Sequence, residues 1–225
     1  MAGECRAKRT GFLLLAATAA ALVFVVTATA AENYRFRFTA TDQAAARATV
    51  IQQADLGNRA RSKGGLTKPD LSPPPACIGK LKLSDLVVTG AAESRYAGSG
   101  LWFDSEVELL QTPRMVSIDW QRSMHTSNYL ACYRSMVAND RPHIGKVVSI
   151  RWIAFPHIAT YVRAFRLVID IPYSGASVRY TNDVVLIGSG RTEITLGTFA
   201  PYAARAAFFA AEQRLAQTLV HRRLG

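Results

Sequence analysis

The sequence predicts an α+β domain: an antiparallel sheet of about six strands with helices packed on one face, preceded by an N-terminal apolar export or anchor helix. Three observations lead there. Residues 145–198 alternate apolar and polar side chains and are broken by short glycine-containing turns, the pattern of an antiparallel meander. Apolar residues recur at helical spacing near both ends of the folded part. Neighbouring strands are linked by hairpins rather than by helical crossovers, which separates α+β from α/β.

Gly11–Ala31 is a run of 21 residues without charge or proline, with Arg6, Lys8 and Arg9 just before it. A basic segment, an apolar run and small residues at Ala28-Thr29-Ala30 form the layout of an export signal. The run is long enough to span a bilayer, which needs about 20 residues, and that favours a retained anchor. Its Ala and Thr content and the Ala28-Thr29-Ala30 site favour cleavage after Ala30. The sequence leaves both outcomes open. Either way the expected location is extracytoplasmic, with the domain secreted or held outside the cell membrane. The expected divisions are residues 1–31 as signal peptide or transmembrane anchor, 32–40 as tether and 41–225 as one domain.

Beyond residue 30 the chain carries 24 Lys and Arg against 15 Asp and Glu. The basic residues are scattered, which argues against a nucleic-acid stripe. Anionic envelope lipids or polymers are the partners such a charge favours outside the cytosol, beside the simpler reading of a solvated basic surface. Membrane contact through residues 11–31 follows if they are uncleaved. No sequence feature names a protein partner. Of three cysteines, Cys5 precedes the apolar run, leaving Cys77 and Cys132 in an oxidising compartment, where they are expected to pair. Closing that 55-residue loop would stabilise the fold by roughly 4 kcal/mol. A pair of buried free thiols is the alternative.

Taken in order, Tyr34–Phe38 alternates aromatic and Arg residues and reads as a tether, with a short strand or an interfacial aromatic belt as the other options. Thr41–Leu56 reads as a helix with Ala46, Val50, Ile51 and Ala54 on one face, Asp42 or Thr41 as cap and Gly57 as stop. Asn58–Ala76, rich in Gly and Pro, reads as a surface loop. Ser84–Ala97 and Leu101–Leu110 are strands joined at Gly98-Ser99-Gly100, the second placing Phe103, Val107 and Leu109 on one face. Thr112-Pro113 opens a helix, with Thr as cap and Pro at the first position. Asn128–Val137 is a second helix, carrying Cys132.

Four strands follow. Lys146–Phe155 puts Val148, Ile150, Trp152 and Ala154 on one face. Thr160–Ile171 does so with Tyr161, Phe165, Leu167, Ile169 and Ile171. Pro172–Gly175 turns into Ser177–Ile187, and Gly188-Ser189-Gly190 into Arg191–Phe199. Pro201 then opens a helix to about Arg223, with Ala204, Ala207, Phe208, Ala211, Leu215 and Leu219 on one stripe.

Several short words along this layout carry a resemblance: Ala48–Leu56, Ala76-Cys77, Ser105-Glu106-Val107 with Thr112-Pro113, Leu130-Ala131-Cys132, Asp183-Val184-Val185, Gly190-Arg191 and the closing helix. In this order the chain resembles a group of actinobacterial secreted proteins that includes the extracellular sensor-like domain of mycobacterial membrane serine/threonine kinases. More distantly it is similar to the Mog1/PsbP-like sandwich. The resemblance covers most of residues 41–222. It implies a binding module with an apolar cleft, no established catalytic residues, and a partner for any signalling output, since 225 residues hold no kinase domain.

Motifs for chemistry are sparse. There is no G-x-S-x-G elbow, no phosphate loop and no dinucleotide fingerprint. His125, His143, His157 and His221 form no HExxH or HxH pair. The expectation is therefore no catalytic residue, no metal and no cofactor. Asp104, Glu106 and Glu108 share one strand face and read as a solvated outer surface; paired acids for glycoside hydrolysis are the competing reading. Arg151, Arg163, Arg166 and Arg179 stand in apolar strands, with Arg191 at a hairpin. With Tyr161, Tyr180 or Phe155 they are candidates to clamp an amphipathic anionic ligand in a groove. Their simpler role is cross-strand pairing, with Asp119, Asp170, Asp183 and Glu193 answering arginines. The functional expectation is a non-catalytic extracytoplasmic binding or sensor-like module; an envelope-acting hydrolase and a structural, membrane-anchored assembly protein are the alternatives.

Overall fold

The computed structural model describes residues 34–59, 63–72, 82–98, 100–124, 128–140 and 145–224. The export segment and Cys77 lie outside the described residues, so the fold concerns the unit that begins at Ala31.

Eight strands build one sheet: β1 (Arg35–Phe36), β2 (Lys63–Thr67), β3 (Val87–Gly98), β4 (Leu101–Leu110), β5 (Lys146–Ile153), β6 (Tyr161–Tyr173), β7 (Ala176–Ser189) and β8 (Thr192–Pro201). Four α-helices accompany them: α1 (Ala40–Thr49), α2 (Pro113–Met124), α3 (Tyr129–Asp140) and α4 (Arg205–Leu224). The sheet order is β1-β3-β4-β8-β7-β6-β5, with β2 also on the outer edge of β3. Every pairing is antiparallel except β1 with β3. The β3–β4 hairpin and the β5–β8 meander therefore meet at one seam, β4 against β8. Two-residue turns set the register of β6, β7 and β8: Ser174-Gly175 between β6 and β7, both at positive φ (47° and 79°), follow the primed-turn geometry that suits strand twist.

The helices cover both faces, not one. On the first face α1 supplies Ala46, Val50 and Ile51 lie just past it, and α4 supplies Leu215, Ala216, Leu219 and Val220; these pack with Val107, Leu109, Val185, Ile187, Ile194 and Leu196. On the second face Val116 of α2 packs with Leu83, Leu86, Val88, Ala91 and Leu110. There too Tyr133 of α3 meets the edge of Phe165 at 4.7 Å, and Tyr129 stacks on Trp152 at 5.7 Å. The reason is visible in β6, where adjacent residues Ala164 and Phe165, then Leu167, Val168 and Ile169, are all buried. A strand apolar on both sides needs a layer on each.

Other expectations change locally. The segment read as a tether is β1: Arg35 N–H donates to Leu86 O (3.0 Å) and Arg37 N–H to Val88 O (2.9 Å). The first helix starts earlier and ends at Thr49, with Thr39 as its cap, accepting from the Asp42 amide at 3.1 Å. Val50 is extended, and the Ile51 amide turns inward to donate to Ser105 Oγ at 2.8 Å, so the chain leaves the helix to enter the core. Part of the expected loop is β2, whose contacts are backbone ones. A Cβ on Gly64 would sit 2.0 Å from the Arg95 carbonyl oxygen, so the close approach requires glycine. The alternation of Tyr34–Phe38 offers β1 as one option, whereas β2, with two glycines among its five residues, has no apolar alternation to announce it. In β5 the register shifts between Val147 and Ser149, and Val148 and Trp152 lie partly exposed at the sheet edge instead of in the core. The last helix is preceded by a 3₁₀ turn, Tyr202–Ala204.

Candidate functional site: an acidic cavity under the second helix

Strand β4 divides its side chains cleanly. Phe103, Val107 and Leu109 are buried on the first face, as expected, with Ser105 among them. Asp104, Glu106 and Glu108 point to the second face, which is covered rather than open. Across the seam Glu108 stands opposite Glu193, Glu106 opposite Thr195, and Asp104 opposite Gly197. On the other side Glu93 of β3 stands opposite Glu106. Like charges in direct cross-strand pairs oppose sheet formation, so this placement costs stability unless protons are retained.

A cavity of about 240 Å³ opens over these strands. The sheet contributes Glu106, Glu108, Glu193 and Thr195 to its wall; α2 contributes Asp119, Ser123 and Met124; Tyr34, Asp70, Ser72 and Tyr129 complete it. Asp119 sits one helical turn from buried Val116, so the packing of that valine aims the carboxylate at the sheet. Ser123, four residues on, donates its hydroxyl to Asp119 Oδ1 at 3.2 Å, and Tyr34 donates to Oδ2 at 3.2 Å. Glu193 makes a further hydrogen bond to Asp119, in which one carboxyl must carry the proton.

Burial is the main force on the acids of β4, β8 and α2, whereas Asp70 at the rim is held low by hydrogen bonds from Ser72. Burial pushes Glu108 up to about 8, with the charges of Glu106 and Asp119 adding to the effect. It pushes Glu106 up to about 7, helped by Glu93, Asp70 and Asp104. Glu193 rises well above the carboxylate range through burial and then the charges of Asp119 and Glu108. Asp119 is raised by burial too, but hydrogen bonds from Glu193, Tyr34 and Ser123 favour its anion. Both carboxyls are raised by burial, and the pair retains a proton that the two share. The nearby cations are committed elsewhere: Arg122 donates to Asp85 (3.2 Å) and to the Lys82 carbonyl, and Arg95 to Glu93. Among the described residues no group of three or more His, Cys, Asp or Glu is arranged to hold a metal ion.

The predicted arginines do not converge on a groove. Arg166 makes a two-point bond to buried Asp183, at 2.6 Å from Nε, beneath the Phe209 ring. Arg179 makes an exposed two-point bond to Asp170, at 2.7 and 2.9 Å. Arg191 reaches Asp42 (2.7 Å), Thr89 Oγ1 (3.0 Å) and the Leu110 carbonyl (2.8 Å). Arg163 donates to the Met124 carbonyl at 2.7 Å and lies over the Trp152 ring. Arg151 is exposed on edge strand β5, and Tyr161 hydrogen-bonds Ser117 and stacks on Trp120. Cross-strand pairing thus holds for Asp170 and Asp183. It does not hold for Asp119 and Glu193, which bond to each other.

The solvated reading of the β4 acids is replaced by a lined cavity. Glu106 and Glu108 were legible as a pair on one strand face; their partners Asp119 and Glu193 come from a helix and from a strand 85 residues away in sequence from Glu108. The sequence expectation has Asp119 answering an arginine; its spacing of one helical turn from Val116 is the sequence signal that could have placed it inward. Cys132 is buried in α3, and its expected pairing involves Cys77, outside the described residues.

In class, then, this is an α+β protein whose antiparallel sheet is layered by helices on both faces and holds a carboxyl-lined cavity beneath one of them. No protein-family model and no curated protein matches the chain.

Proposed function

We propose that the chain is a non-catalytic extracytoplasmic binding or sensor-like module of the bacterial envelope, and that the acidic cavity is its ligand site. The observation that carries this is Asp119 facing Glu108 and Glu193 across a space walled by Tyr34 and Tyr129. About 240 Å³ is smaller than the usual drug-sized pocket, so the fitting ligand is small, such as one sugar ring or a short amine. Carboxyls and tyrosines favour a ligand that donates hydrogen bonds or carries positive charge. An anionic headgroup does not suit this wall. The export layout of residues 6–31 and the resemblance to secreted sensor-like domains support the envelope location.

Calorimetry of the full chain with amino sugars and short amines, against their N-acetylated and acidic analogues, tests the reading. Binding of the amines, weakened at least tenfold by Asp119→Asn, supports it. A panel that binds nothing, or binds the acidic analogues best, sinks it. Intact mass without reduction tests the compartment: loss of two hydrogens is expected, and two free thiols would count against it.

One feature favours a second reading, the envelope-acting hydrolase. Asp119 and Glu193, two buried carboxyls that hold one proton between them, supply an acid and a base in one cavity, which general acid–base hydrolysis requires. Release of soluble sugar from wall glycan, abolished by both Glu193→Gln and Asp119→Asn, would establish it over binding alone.

A further inference from the structure

Beyond Tyr34, which belongs to the cavity wall, the β1 edge carries a surface that the cavity does not use. Arg35, Phe36, Arg37 and Phe38 are all exposed, Phe36 by 40% and Phe38 by 44%. The two Phe rings lie 5.8 Å apart, and Tyr34 continues the row 6.4 Å from Phe36. Consecutive residues of an extended chain point to opposite sides, so the rings line one side and the guanidiniums the other. Because β1 is the end strand of the sheet, both sides meet at an open edge. Among the described residues seven ion pairs form, and neither Arg35 nor Arg37 takes part in one. Burying two phenyl rings in the core is the ordinary outcome for Phe; here two neighbouring rings are left in solvent beside two unpaired cations.

The chain's own layout says what meets this edge. The apolar run ends at Ala31, three residues before Tyr34. Three residues reach at most about 11 Å. Phenyl rings of a surface-bound segment settle at the boundary of headgroups and acyl chains, and basic side chains are drawn to an anionic leaflet. We infer that the β1 edge rests on an anionic membrane surface, with Phe36 and Phe38 at the headgroup–acyl boundary and Arg35 and Arg37 on lipid phosphates. This contact is separate from the cavity and does not depend on it. It also gives the anionic lipid expected from the charge balance a place in the fold, distinct from Arg151, Arg163, Arg166, Arg179 and Arg191. An open strand edge could instead recruit a second copy by strand addition, and the test separates the two.

The full chain, purified as cells produce it, is placed with vesicles of phosphatidylcholine alone or with 30% phosphatidylglycerol, and amide hydrogen exchange is read at residues 34–39. Slowed exchange with phosphatidylglycerol only, reversed by 0.5 M salt and lost in Arg35→Gln/Arg37→Gln and in Phe36→Ser/Phe38→Ser, is expected. Both variants change exposed side chains, and an unchanged melting temperature confirms that each folds. Equal exchange in both vesicle types overturns the inference. So does protection that rises with protein concentration in the absence of lipid, which would mark strand addition between copies. Neither result bears on amine binding, so the cavity reading stands or falls by its own calorimetry.

Discussion

Glu108 of β4 and Glu193 of β8 are direct cross-strand neighbours, two acids facing each other on a covered sheet face with Asp119 of α2 above them. Such a pair is tolerable only while protons stay bound, and that makes the folded state a proton reservoir.

The pH dependence follows. Glu106, Glu108, Glu193 and Glu212 have pKa values raised above the ordinary carboxylate range in the folded state. Each binds its proton more tightly folded than unfolded, so its stabilising effect is complete below about pH 4.5 and is lost as pH rises through the folded value, about 7 to 8 for three of them. Asp42 and Asp170 act oppositely: Asp42 is held low by Thr89 and Arg191 despite burial, and Asp170 by Arg179. Their stabilisation is lost as pH falls below about 4. Calorimetric melting should therefore peak near pH 5 and decline steadily toward pH 9. A flat profile over that range would contradict the buried-acid picture.

Glu212 isolates one contributor on the opposite face. Its side chain is fully buried in α4, with Oε1 accepting from Thr198 Oγ1 at 2.9 Å and Oε2 without a partner. Glu212→Gln retains that acceptor and cannot ionise. At pH 5 its melting temperature should lie close to the parent's; at pH 9 it should lie several degrees above. An equal offset at both pH values would show that ionisation is not the issue.

The two arginine–aspartate bonds of the meander should differ greatly in worth. Asp183 is buried beside Arg166, and Arg166→Ala leaves that carboxylate without its cation, at a cost of about 3–5 kcal/mol. Arg179 and Asp170 form their pair at the surface, where solvent screens it, and Arg179→Ala should leave stability nearly unchanged. Urea denaturation of the two variants at pH 7 measures both.

Phe165 is the packing centre of the second face. It is fully buried in β6 and meets Tyr129, Tyr133 and Trp152 edge-on. Phe165→Ala should cost about 3–5 kcal/mol and loosen α3 before the rest of the sheet. Faster amide exchange in α3 than in α4 of that variant is the expected signature; uniform loss of protection would refute the local effect.

The sequence alone determined the parts whose signal is local. Period-two runs located β3, β4 and the meander, Thr112-Pro113 marked the start of α2, and apolar spacing found α4. It also put Glu106 and Glu108 on a common strand face. Tertiary structure decided the rest. The alternation of Tyr34–Phe38 is equally that of a tether or of a strand, and backbone hydrogen bonds to β3 decide for β1; the backbone pairing of β2 leaves no trace in side-chain pattern. Helices cover both faces because β6 is apolar on both, and a period-two reading follows only one side of a strand. The cavity exists because α2 lies across the β4–β8 seam, bringing Asp119 to Glu193. That juxtaposition depends on which strands pair and which face a helix crosses, and long-range pairing of this kind is settled by packing of the whole core.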